Sequence, residues 1–198
     1  MAKIVSVMLL ILFVACNSSE EKKKESENIS EEITIENTDG VNNFVEDPEE
    51  EGSKMIVGSA TLKALQSEPF NEWYKGSENN HILDTVTLKK VEPLLKNKKI
   101  KIFMGTWCED SQREIPALFK ILDHVDYNYE AIDLYAVSRD KDTPEGYEDG
   151  LNVAFVPTII FLEDGEELGR IVEYTQESLE KDMYAILSGA DYKHAYSD

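Results

Sequence analysis

Cysteine is almost missing from this chain: Cys16 and Cys108 are the only two among 198 residues. A disulfide framework is therefore excluded, and any thiol chemistry falls on one of these two positions. Basic charge is also scarce, with 20 Lys and Arg against 40 Asp and Glu and a formal net charge of −20. A surface this acidic repels nucleic acid, and no basic stripe interleaved with aromatics offsets it, so nucleic acid is excluded as a partner. The three histidines, His81, His124 and His194, are scattered without metal-ligand spacing, and each reads as a surface or packed residue. No metal or cofactor site is expected. No internal repeat occurs, and no apolar run approaches the roughly twenty residues that a membrane span needs.

The longest apolar stretch follows Lys3 and runs for twelve residues, Ile4 to Ala15, directly before Cys16. A basic start, a short apolar segment and small residues before a cysteine make a signal peptide. Phe13-Val14-Ala15-Cys16 resembles the bacterial lipobox, departing from it at Phe13, where leucine is usual. That resemblance implies cleavage after residue 15, lipidation of Cys16, and a lipid-anchored, extracytoplasmic place in the cell envelope. Cys108 would then be the only free thiol of the mature chain. The alternative is an ordinary secretory signal.

Residues 17–53 hold thirteen acids against three lysines, for a net charge of −10. With few large apolar side chains, such a segment cannot offset its ordering entropy, so residues 16–53 are expected to form a disordered acidic linker. It reads either as a spacer above a membrane or as a plain solvated tail. Residues 54–198 carry 27 acids and 16 basic residues, for −11, and are long enough for one domain with its own core.

Within this domain, apolar residues from Ser59 to Tyr74 follow a helical period that Pro69 divides, and Thr85 to Leu95 repeats the pattern with Pro93 inside. Ile100 to Met104 predicts a buried strand. Ile115, Leu118, Phe119, Ile121 and Leu122 place an apolar stripe on the helix after Cys108, with Pro116 inside it. Tyr129 to Val137 predicts a strand and Pro144 to Gly150 a loop. Thr158 to Leu162, the turn Asp164-Gly165 and Leu168 to Tyr174 predict a hairpin. Thr175 is placed to cap a last helix with Leu179, Met183, Ile186 and Leu187 inward, and Gly189 to end it. The order predicts an α/β sandwich with a central mixed sheet flanked by helices: a helical extension over 54–99 and a core over 100–188.

Gly105-Thr106-Trp107-Cys108-Glu109-Asp110-Ser111 lies where the first strand passes into the helix. A thiol at a helix N-terminus meets unpaired N–H groups and the positive end of the dipole, which favour the thiolate. Glu109 and Asp110 oppose that effect or serve as plain capping charges, and Arg113 can offset them or pair with Glu109 or Glu114.

Trp107-Cys108 with Ser111, Pro116 eight residues after Cys108, Val156-Pro157-Thr158, and Gly165 eight residues after Pro157 together resemble the thioredoxin superfamily over residues 100–188. The resemblance implies a thioredoxin-like fold. It implies that Cys108 is a nucleophile forming mixed disulfides, with Ser111 at the place of a second cysteine. It also implies a cis-proline at Pro157, and that Trp107, Val156, Pro157 and Thr158 border the substrate, whose extended segment would pair with the Val156 backbone. Serine cannot resolve a mixed disulfide, although Ser111 can donate a hydrogen bond toward the sulfur. The family's buried acid would fall at Ile102.

The function implied is thiol-disulfide exchange by a single thiol, isomerase-like or thiol-protecting, with exported proteins or small thiols as partners. A redox-inactive binding or scaffold module is the alternative. A peroxidase of the peroxiredoxin branch fits less well, because Gly105 stands three residues before the cysteine where threonine or serine would be needed.

Overall fold

The computed structural model describes residues 40–197. The signal segment, Cys16 and the linker up to residue 39 lie outside the described residues. The elements are β1 (Phe44–Glu46), β2 (Lys54–Ile56), β3 (Gly58–Ser59), α1 (Leu62–Leu65), α2 (Asn71–Asn80), α3 (Thr85–Val91), β4 (Lys98–Met104), α4 (Glu109–His124), β5 (Ile132–Ala136), β6 (Thr158–Glu163), β7 (Glu166–Val172) and α5 (Leu179–Leu187). β3, β5, β4, β6 and β7 form one mixed sheet in that spatial order, with β4 and β5 parallel and β4, β6 and β7 successively antiparallel. With helices packed on it, this is the thioredoxin-like α/β sandwich that the sequence implies.

Alternation along the strands builds two cores. Ile100, Ile102 and Met104 of β4, Leu134 of β5, and Ile159 and Phe161 of β6 belong to the cluster that also holds buried apolar residues from all five helices. Phe103, Val137, Val156 and Ile160 make a smaller cluster on the other side, and Trp107, Cys108, Tyr135 and Tyr147 pack against it. The connection between β5 and β6 covers that second face through Tyr147, whose ring stacks on Tyr135 with centroids 4.2 Å apart. The thiol therefore sits over the smaller core, at the end of the sheet where β4 passes into α4.

Local chemistry explains most boundaries. Thr61 caps α1 by accepting from the Ala64 N–H, and the turn holding Pro69 separates α1 from α2. Asp84 caps α3, which passes into a 3-10 turn, Glu92–Leu94, at Pro93. Asp164 (φ 52°) and Gly165 (φ 89°) turn the β6–β7 hairpin, as their residue types require.

Four expectations need correction. Residues 40–53, assigned to the linker by composition, include folded structure: β1 pairs with β2 in the register Phe44↔Ile56, and Asp47 is buried. The acids there are partly spent on a distant partner, Arg139, rather than on solvent. The stretch Tyr129–Ala131 is a 3-10 turn capped by Asn128, so β5 starts only at Ile132. Both β4 and β7 begin two residues before their apolar runs, because backbone pairing carries the ladder past the buried segment. Ser178 rather than Thr175 caps α5, accepting from the Lys181 N–H, while the buried Asp182 takes the Gln176 and Glu177 N–H groups.

Candidate thiol site

Met104 ends β4, and the next seven residues carry the site. The Cys108 N–H donates to the Gly105 carbonyl at 3.0 Å, and the Gln112 N–H closes the first helical turn on the Cys108 carbonyl at 2.9 Å. The Gln112 side chain returns to the Thr106 carbonyl at 2.8 Å. These bonds leave Cys108 as the N-cap residue of α4 in an extended conformation. Its side chain caps nothing at the helix end, which leaves the sulfur available to the segment across from it.

The half-buried thiol donates to the Val156 carbonyl at 3.2 Å. Val156 is buried, and the Val156–Pro157 peptide is cis. Two segments far apart in sequence thus meet at the sulfur. Thr158 lies next to them, but its hydroxyl donates to the Phe155 carbonyl at 2.7 Å and its side chain is buried. Thr158 shapes the loop from within: it is 1% exposed and paired in the sheet with Phe103 and Val172, so it borders the site without facing solvent. Ser111 is fully buried, and its oxygen accepts from the Gly105 N–H at 3.1 Å. The serine pins the loop from beneath.

Trp107 is placed by three contacts. Its indole N–H donates to the Val137 carbonyl at 3.0 Å. The Arg139 guanidinium lies 4.7 Å from the ring centroid and the Lys141 ammonium 5.5 Å. Underneath is Gly105, where an added Cβ would come within 2.6 Å of the ring. That approach, rather than backbone flexibility, requires glycine there. Beside Trp107 a groove of about 570 Å³ is lined by Thr106, Gln112, Pro69, Phe70 and Trp73 among others. The Thr106 hydroxyl itself is buried and accepts from the Ile56 N–H at 3.2 Å, so it is committed to β2 rather than to the sulfur.

The charges around the thiol are arranged in pairs. Arg113 binds Asp110 at 2.7 Å and Glu114 at 2.8 Å, leaving Glu109 exposed on the first turn. Burial pushes the Glu114 carboxyl above its ordinary range, and the Arg113 hydrogen bond and charge oppose that rise. On the other side Arg139 grips Asp47 through two bonds of 3.1 and 2.7 Å and reaches Glu49 at 3.1 Å. The Arg139 hydrogen bond holds the Asp47 carboxyl below its ordinary range despite burial, helped by the Glu49 N–H.

This last shift has a measurable sign. A carboxyl lowered in the folded state stabilises the fold above the unfolded value of about 3.9 and stops doing so as pH falls through the lower folded value. Glu114 and Glu173, both raised by burial, act in the opposite sense. The urea midpoint of the wild type should therefore keep falling below pH 4. An Arg139→Gln variant should show a flatter acid limb.

Sequence reasoning brought Trp107, Cys108, Ser111, Val156 and Pro157 to this place. It missed Arg139, Lys141, Asp47 and Glu49, which carry no spacing signal because the Asp47–Arg139 pair spans 92 positions. His81 bonds Glu180 at 2.9 Å, with the Glu180 side chain 1% exposed, and joins α2 to α5 as a packed histidine.

No family model matches the chain, and no curated protein does. Solved structures that it resembles include a Pseudomonas aeruginosa protein of unknown function, at 19% identity over 61% of this chain and 82% of that one, with a TM-score of 0.44. Oxidised mitochondrial thioredoxin 3 from Saccharomyces cerevisiae matches at 24% identity over 43% and 76%, with a TM-score of 0.29. Oxidised thioredoxin O2 from Arabidopsis thaliana matches at 22% over 46% and 75%, with a TM-score of 0.31.

Proposed function

We propose that the chain is a lipid-anchored, extracytoplasmic protein of the bacterial cell envelope that exchanges disulfides through one thiol, Cys108. The observation that carries this reading is the Cys108 sulfur, half-buried at a helix N-terminus and 3.2 Å from the Val156 carbonyl beside Pro157. The anchor rests on Cys16 and the apolar segment before it.

The chemistry needs no group beyond the partners. The Cys108 thiolate attacks one sulfur of a partner's disulfide, forming the Cys108 mixed disulfide and releasing the other sulfur as thiolate. A second thiol of the partner, or a small thiol, then attacks the partner's sulfur. That step releases the Cys108 thiolate and leaves the partner with a new disulfide. Ser111 has no part in the electron transfer, because a hydroxyl neither forms nor breaks an S–S bond; it holds the loop through the Gly105 N–H. Exported proteins with exposed thiols or disulfides fit this scheme, as do small thiols. Release of Cys108 depends on a thiol that this protein does not itself supply, so adducts with partners that lack a second thiol should be long-lived.

Acid-quenched, alkylated envelopes separated first without and then with reductant should release partner proteins from the wild-type chain and none from Cys108→Ser. Wild-type envelopes that release no partner under mild oxidation would sink the proposal.

A further inference from the structure

The chain does not stop at α5: it returns across the loop that carries Val156. Tyr192 fastens the start of this strap, donating to the buried Asp182 at 3.0 Å while its ring packs against the main core. The far end is fastened at Tyr196. Its ring stacks on Phe155 with centroids 3.8 Å apart and planes 9° from parallel, and it meets Tyr174 edge-on at 6.3 Å. Its hydroxyl donates to the Glu173 carboxylate. A turn between them, in which the Tyr196 N–H donates to the His194 ring at 3.2 Å and the Ser197 N–H to the His194 carbonyl at 3.0 Å, aims the tyrosine.

Two of the residues that Tyr196 touches, Phe155 and Glu173, are joined directly to the segment that meets the thiol. Phe155 directly precedes Val156, whose carbonyl receives the thiol. The Glu173 N–H donates to the Pro157 carbonyl at 2.7 Å, and its carboxyl, raised first by burial, also feels the charges of Asp110 and Arg113 on the first turns of α4. Phe155, Tyr174 and Tyr196 nevertheless stay 37%, 45% and 42% exposed, so the stack lies on the surface rather than in the core. A surface segment held by a hydrogen bond at Tyr192 and by one exposed ring stack at Tyr196 is a cover fastened at its far end by a single aromatic contact and one hydroxyl.

We infer that the C-terminal strap is a removable lid: Tyr196 occupies the place on Phe155 that an aromatic or aliphatic side chain of the partner takes when the partner's cysteine engages Cys108. The inference rests on the proposed exchange for its biological meaning, while the cover itself is physical and measurable without it. Partners would be extended segments with an aromatic or aliphatic residue flanking the reacting sulfur. Because they compete with Tyr196, the strap lowers the apparent rate for large partners by the fraction of time it is closed.

The test compares Cys108 alkylation by iodoacetamide, small enough to pass the strap, with alkylation by a maleimide attached to a short phenylalanine-containing peptide. Full-length Tyr196→Ala should raise the ratio of the peptide-linked rate to the small-reagent rate by about two- to tenfold, the range that the loss of one aromatic stack allows. Tyr196→Phe, which keeps the stack and loses the Glu173 bond, should fall between. In a Phe155→Ala background the peptide reagent should lose its preference for phenylalanine over alanine. A ratio unchanged in Tyr196→Ala overturns the inference. If the ratio rises but neither protein forms adducts with disulfide-containing peptides, the lid stands and the exchange reading fails.

Discussion

A Ser111→Cys variant should turn long-lived adducts into short-lived ones. Positions 108 and 111 are the N-cap and third residues of α4, and residues three apart on a helix lie on one face. Their Cα atoms then fall within the roughly 4.4–6.8 Å that a disulfide spans. Once Cys108 holds a partner, the new thiol attacks the same sulfur from within the molecule, at an effective concentration that no external thiol matches. Steady-state adduct should fall at least about tenfold, and the protein itself should end with a 108–111 disulfide. The substitution has a cost. The Ser111 oxygen accepts from the Gly105 N–H, and sulfur is the weaker acceptor, so about 1 kcal/mol of stability should go with it. Measured by non-reducing electrophoresis against time, undiminished adduct would mean that residue 111 cannot reach the sulfur, and the arrangement at the helix end would be wrong.

Ile102→Asp should have the largest effect on stability. The thioredoxin resemblance puts a buried acid at this position, but the surroundings here are apolar. Ile102 is 0% exposed and is paired across the ladder with Leu134 on one side and Ile159 on the other. A carboxylate there would lose its water without gaining a partner. Combined with the lost burial of the isoleucine, the penalty should reach about 4 kcal/mol or more, a large part of an ordinary domain's stability. The introduced carboxyl would be raised by its surroundings, so it is neutral, and less damaging, at acid pH. The urea midpoint should drop by about 2 M near neutrality, with a smaller drop at pH 4. Ile102→Val, which deletes one methyl group, should cost only about 1 kcal/mol. An aspartate tolerated without loss would show a polar pocket behind the sulfur that the packing does not contain.

These two positions show where the amino-acid order was informative. Ser111 and Pro157 were reached through the thioredoxin resemblance, whereas Cys108 at its strand end and helix start, and the Asp164-Gly165 turn, were legible because each depends on neighbours a few residues away. The α4 stripe was legible for the same reason, since Ile115, Leu118, Phe119, Ile121 and Leu122 repeat at helical spacing and all are buried. For Ser111 the expectation allowed a hydrogen bond donated toward the sulfur; in the structure its oxygen accepts from the Gly105 N–H.

What stayed hidden depends on distant partners. Asp47 looked like one more solvated acid in an acidic run, and only Arg139 makes it a buried, structured residue. The arginine in turn steadies Trp107, so the β1–β2 hairpin takes part in shaping the rim of the site. No local pattern reports such a chain of contacts. The strap was hidden in a related way: Tyr192 and Tyr196 sit four apart in a polar tail with no helical or strand periodicity, and their partners are Asp182 in α5 and Phe155 in the loop before β6. Thr175 offered an adequate cap by residue type. Ser178 took that place because the Asp182 carboxylate already holds the backbone just before it.

The central claim is that Cys108 alone forms a covalent, reversible bond to a partner's sulfur. Intact-mass spectrometry of the purified full-length protein, incubated with a short disulfide-linked peptide dimer and quenched in acid, reads that bond directly. The wild type should gain the mass of one peptide half, lose it on addition of a small thiol, and show no gain in Cys108→Ser. An unmodified wild-type mass after prolonged incubation with excess peptide would contradict the claim and leave a thioredoxin-like binding module in its place.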